Sequence, residues 1–204
     1  MKYFTILISL ISLFLQIQSV HGAVYQSDLG YSIDVPEGWT IFSKGNAREK
    51  PQIIEAAMNR AKGDEGLSAI PSNVLNRVKE LLMGEKIDYY QSGEPRFTIS
   101  VYKGTGELPV SSDKVEAFCK SLAEDFDKQG DNGIKLHECS IKQIDGRRAV
   151  YLIADDYWKN KKYIQYQIQK GQDEILFVTA NSMEKPFSEM SNEFDTIIHS
   201  LETE

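Results

Sequence analysis

Residues 134–181 constrain the fold more than any other part of this sequence. Four strands read over Lys135–Gln143, Arg147–Tyr157, Lys162–Lys170 and Glu174–Asn181, with turn signals between them at Asp145-Gly146, Asn160 and Gly171. Connections this short join antiparallel neighbours, so the segment predicts a meander. In the third strand Ile164, Tyr166 and Ile168 alternate with Gln165, Gln167 and Gln169, which predicts one drier face. The fourth strand carries Ile175-Leu176-Phe177-Val178, apolar toward both sides. It is expected near the centre of the sheet, covered on both faces.

Amphipathic helices supply that cover. Val115, Phe118, Cys119, Leu122 and Phe126 recur at helical spacing after Asp113 and Glu116, a capping-box-like start, and the pattern stops at Gly130. A last helix begins near Pro186 and carries Phe187, Met190, Phe194, Ile197, Ile198 and Leu201 on one stripe. Upstream, Arg96–Lys103 reads as a strand with Phe97, Ile99 and Val101 on one side. The block Gly30–Trp39 reads as a strand over Tyr31–Val35, a Pro36-Glu37-Gly38 turn and a return strand over Trp39–Ser43, a predicted hairpin. Two further helical stretches lie between. One opens at Pro51, carries Ile54, Ala57, Met58 and Ala61, and stops at Gly63; the other follows Pro71 with Val74, Leu75, Val78, Leu81 and Leu82, and stops at Gly84. The predicted class is α+β: an α/β/α sandwich with a central antiparallel sheet, plus a helical hairpin inserted at about 46–90.

The first 22 residues read as a secretory signal. Lys2 precedes an apolar run from Phe4 to Leu15, and Val20-His21-Gly22 marks a cleavage point. The run is shorter than the roughly 20 residues a membrane helix needs, and no lipid-accepting cysteine follows it. Residues 23–204 are therefore expected as one soluble domain, periplasmic or secreted, with no membrane anchor after cleavage. Loss of Lys2 with the leader takes the formal charge from −7 to about −8, which disfavours nucleic acid as a partner. Both cysteines, Cys119 and Cys139, fall in the exported part, where an even count favours a disulfide over two buried thiols.

The words GYSIDVPEGW, the strand Phe97–Tyr102, the helix at 113–129, the meander ending in Phe177-Val178-Thr179-Ala180 and the pattern Phe187…Phe194…Ile197-Ile198…Ser200-Leu201 together resemble the PsbP-like family. That fold is shared by a photosystem II extrinsic protein, a yeast import factor that binds the GTPase Ran, and many exported bacterial proteins. The resemblance implies no transferable catalytic residues. It implies action by binding other proteins, sometimes with metal ions.

Chemistry-bearing residues are sparse. After the leader the histidines are His137 and His199; no nucleophile elbow or His-Glu-x-x-His motif is present. His199 falls beside the apolar stripe of the last helix, toward solvent, and His137 is expected on the same strand face as Cys139, two residues on. Gly104-Thr105-Gly106 reads as a flexible strand exit, not a phosphate loop, and Asp127…Asp131-Asn132 lacks the oxygens of a calcium loop. Asp155-Asp156-Tyr157-Trp158 is a candidate binding cluster at a strand end. Tyr89 and Tyr90, at the return from the insertion, are candidate interface anchors. The reading is a non-enzymatic exported accessory protein that contacts another protein and needs no cofactor or metal. The alternatives are a metal-dependent protein or enzyme using Asp155, Asp156 and His137, or a secreted factor acting on a host.

Overall fold

A computed structural model describes residues 22–43, 87–93, 97–128, 134–156, 161–182 and 185–204. The segment expected as a signal, save Gly22, the two stretches expected as helices between Pro51 and Gly84, and Tyr157 and Trp158 lie outside the described residues; Ile87–Gln91, at the far end of the insertion expected at about 46–90, is a strand. In chain order the elements are β1 (Ala23–Ser27), β2 (Tyr31–Val35), β3 (Thr40–Phe42), β4 (Ile87–Gln91), β5 (Thr98–Thr105), α1 (Ser112–Asp127), β6 (Leu136–Ile144), β7 (Arg147–Asp156), β8 (Lys161–Gln169), β9 (Glu174–Asn181), α2 (Phe187–Ile198) and β10 (Glu202–Thr203).

The strands form a seven-stranded antiparallel sheet, order β3-β4-β5-β9-β8-β7-β6, and a three-stranded sheet, order β1-β2-β10. β9 stands fourth of the seven, the central place its two-sided apolar pattern predicts. Alternation then assigns the faces. Tyr151, Ile164, Tyr166, Ile168, Leu176, Val178 and Ala180 share one core with Met190, Phe194, Ile197 and Ile198 of α2 and with Tyr31, Ile33 and Val35 of β2. On the opposite face Phe118 packs with Val150 and Ile175, while Leu122 and Phe126 of α1 pack with Leu152 and Ala154. The two helices thus cover opposite faces of the sheet. Where α1 gives out, the same face is polar: Gln165 donates to Thr179 at 2.8 Å and Gln167 to Gln165 at 3.0 Å.

α1 starts from Ser111 without a side-chain cap, so the Asp113/Glu116 pattern does not close a capping box. Cys119 of α1 and Cys139 of β6 are joined in a disulfide with Cα atoms 5.8 Å apart. Among the described residues no helix is long and apolar enough to cross a membrane.

The hairpin expected between Tyr31–Val35 and Trp39–Ser43 does not form. β2 pairs with β1 and β10, while β3 pairs with β4 in the large sheet. The turn explains the parting. Trp39 N–H donates to the Pro36 carbonyl at 3.3 Å, and Gly38 holds φ at +82° in the third position, the geometry of a type II turn. Type II turns splay the flanking strands, whereas hairpins use the mirror-image types. β2 therefore leaves for the small sheet, which a buried polar network ties back: Asp88 of β4 accepts from Ser27 and, at 2.8 Å, from Tyr31, whose hydroxyl meets that of Tyr90 at 2.6 Å.

Candidate functional site

The same turn builds a cleft. Glu37, Gly38 and Trp39 form one wall, Ser92 and Gly93 after β4 a second, and Lys185 with Glu193 of α2 the third, around about 210 Å³. Local geometry fixes each wall. Ser92 exchanges bonds with Phe97, its N–H donating to the Phe97 carbonyl and its hydroxyl accepting from the Phe97 N–H, both at 2.9 Å. Lys185 is held at its backbone by Ser182 Oγ, 2.7 Å away, and its ammonium pairs with Glu193. Beneath them Phe97 is fully buried, meeting the Trp39 ring edge-on at 5.0 Å and lying 5.6 Å below the Lys185 ammonium. One side of Trp39 packs on the main core and the other lines the cleft.

The rim of strand ends continues across the sheet to β7 and β6. Lys162 stands 5.7 Å over the Phe187 ring and is register partner of Asp155. Asp155 Oδ1 lies 2.5 Å from His137 Nε2. Sequence spacing had put His137 on the Cys139 face, and the structure corrects this. The β6–β7 register shifts between Leu136 and Glu138, and the bulge turns His137 toward Asp155 while Leu136 shares the α1 side with Cys139. Asp156 ends β7, backbone-paired with Lys161.

Of the two tyrosines proposed as anchors, Tyr90 is 1% exposed, in the core, its hydroxyl spent on Tyr31. Tyr89, on the other face of β4, is half-buried with its ring 6.1 Å from that of Phe42. Burial pushes both phenol pKa values up. The structure thus unites His137 with Asp155 but leaves Tyr89 and Tyr90 on opposite faces. Among the described residues no group of three His, Cys, Asp or Glu side chains gathers as metal ligands do. Sequence reasoning passed over Glu37, Lys185 and Glu193; the Pro-Glu-Gly-Trp word flagged only one wall of the cleft.

No protein-family model matches the chain, and no curated protein sequence matches it. Solved structures do. The solution structure of cyanobacterial PsbP (CyanoP) from Synechocystis sp. PCC 6803 is similar at a TM-score of 0.53 and 12% identity, over 93% of this chain and 96% of that one. A Pseudomonas aeruginosa protein of unknown function, PA94, is similar at a TM-score of 0.47 and 14% identity, over 90% and 98%. The T6SS immunity protein TplEi of P. aeruginosa, solved with its "L" peptide, gives 0.42 and 10%, over 91% and 99%. At such identities the likeness is one of fold, and the fold is PsbP-like.

Proposed function

We propose that this chain is an exported, non-enzymatic accessory module that contacts a partner protein along the strand-end rim from Trp39 to His137. The cleft at Trp39 carries the reading. Its volume of about 210 Å³ falls below the roughly 300–1,000 Å³ of small-molecule sites and suits a single inserted side chain. Two carboxylates against one ammonium leave its walls net acidic. A guanidinium laid on the Trp39 indole beside Glu37 fits that combination, since arginine both stacks on aromatic faces and pairs with carboxylates. Asp155 and Asp156, at the end of β7, extend the same rim as secondary contacts, and Tyr157 and Trp158, outside the described residues, are proposed with them. The disulfide supports an oxidising compartment, periplasmic or extracellular.

A photo-crosslinking residue at Glu37, exposed on the rim, tests this in envelope extract. The expected result is one discrete adduct that disappears in Trp39→Ala while that variant keeps its disulfide and circular dichroism. An adduct indifferent to Trp39→Ala refutes the assignment of the cleft. Turnover of a substrate abolished by His137→Ala refutes the non-enzymatic reading.

A further inference from the structure

Lys185 fills part of the cleft from within. It stands in the cleft wall, yet its side chain is only 13% exposed, and that of its partner Glu193 is 32% exposed. Three contacts hold it. Its backbone N–H donates to Ser182 Oγ at 2.7 Å, its ammonium pairs with the Glu193 carboxylate, and the same ammonium lies 5.6 Å from the centroid of the buried Phe97 ring. An aromatic face within about 6 Å and a carboxylate at hydrogen-bond distance are what an ammonium group takes from a binding site. The chain therefore supplies both a place for a lysine and the lysine that occupies it.

What remains open has a different chemistry. Glu37, on another wall, is exposed, and Trp39 beside it is half-buried, with part of its side chain lining the cleft. An ammonium arriving there finds an exposed carboxylate, a weak partner for a strongly hydrated point charge. A guanidinium is planar and more weakly hydrated, so it can lie against the indole while its fork of N–H donors meets the carboxylate.

We infer that Lys185 sets the specificity of the cleft: by occupying the ammonium position itself, it leaves a position that accepts a partner's arginine and rejects a partner's lysine. This specificity rests on the cleft being the partner-contact site, and it adds which cation is taken and which residue decides. Rejection has two parts. The place that suits a lysine is filled, and the resident charge repels a second ammonium that has no indole stacking to offset the repulsion. Loss of the Lys185 charge leaves Glu193 unpaired in the cleft wall, beside the face of Phe97, ready for a lysine from outside.

Titration of the purified protein with N-acetyl-arginine methylamide and with N-acetyl-lysine methylamide, at equal ionic strength and followed at the Gly38 and Gly93 amide resonances, tests the inference. The wild type is expected to bind the arginine probe about tenfold more tightly, the combined effect of one stacked cation and one surface ion pair. Lys185→Met keeps an apolar stem over Phe97 and removes the charge. In it the lysine probe is expected to gain about tenfold over the arginine probe, so that the preference disappears. Adding Glu193→Gln is expected to cancel that gain. The wild-type ratio needs no variant, so the specificity is measurable even where a substitution unfolds the chain. Equal affinity of the wild type for both probes overturns the inference and leaves the contact site standing. So does a folded Lys185→Met with the wild-type ratio, the behaviour of a lysine held there for stability alone. A wild type that binds neither probe, or an arginine affinity indifferent to Trp39→Ala, refutes the cleft as the contact site and the inference with it.

Discussion

Removing the disulfide should release α1 and leave the sheet standing. α1 has no fully buried residue, whereas α2 buries Met190, Phe194, Ile197 and Ile198. Each fully buried apolar side chain contributes about 1.5–3 kcal/mol, and α1 has only half-buried ones with which to grip the sheet. The covalent link to Cys139 makes up the difference. It spans a sequence separation of 20, for which chain entropy gives about 3 kcal/mol at 25 °C. In a domain of this size each kcal/mol moves the melting temperature by about 2–4 °C, so Cys119→Ser/Cys139→Ser should melt roughly 6–12 °C lower. Hydrogen exchange locates the loss. Amides of Ser112–Asp127 should lose protection by far more than those of β7, β8 and β9, because a weakly packed helix opens without the sheet. A melting temperature within about 2 °C of wild type, or protection lost evenly across helix and sheet, would refute the reasoning.

Asp88 should impose a pH dependence on stability. Burial raises its pKa above the ordinary carboxylate value, against the hydrogen bonds from Ser27 and Tyr31 that lower it, so the native state holds this proton more tightly than the unfolded chain. Stability then falls as pH rises from the ordinary carboxylate value through the raised one, and urea titrations across that window should show Asp88→Asn to be flatter than wild type. Gly38→Ala should cost only about 1–2 kcal/mol in denaturant midpoint, the backbone penalty of a left-handed residue, since an added Cβ meets nothing within 4 Å. Phe194→Ala, at a side chain 0% exposed, should cost about 3–5 kcal/mol by chemical denaturation. A loss under about 1 kcal/mol would place Phe194 outside the core.

The strands β5 to β9 of the large sheet were legible because they carry local instructions, whereas β4 fell at the end of a stretch read as a helical insertion and β3 was read as a hairpin partner of β2. Asp145-Gly146 forces a tight hairpin, the Ile164/Gln165 alternation orients β8, and a strand apolar on both sides has to be central. The small sheet was not legible, because β1 and β10 are five and two residues long and owe their pairing to β2. Neither Val24, 63% exposed, nor Glu202 gives a local hydrophobic pattern that would announce a strand. The bulge at His137 escaped for a similar reason: strict alternation puts residues 137 and 139 on one face, and only pairing with β7 shows the extra residue.

The cleft was hidden by distance along the chain, yet the cause of its shape was in plain sight. Its walls come from Glu37–Trp39, Ser92–Gly93 and Lys185 with Glu193, segments that meet only at the rim of the sheet. No pairwise spacing in the sequence joins them. What was readable is the placement of glycine in Pro36-Glu37-Gly38-Trp39. A glycine third in a turn whose second residue is a glutamate favours type II, because the mirror-image turns that close hairpins need positive φ at that second residue, which a glutamate rarely adopts. Two strands leaving such a turn diverge, and Trp39 at the start of the second is carried to the wedge between them. Part of its side chain meets the core, and the rest lines the cleft with Glu37, Lys185 and Glu193. The word that identifies the scaffold therefore also opens its cleft, through the handedness of a single glycine.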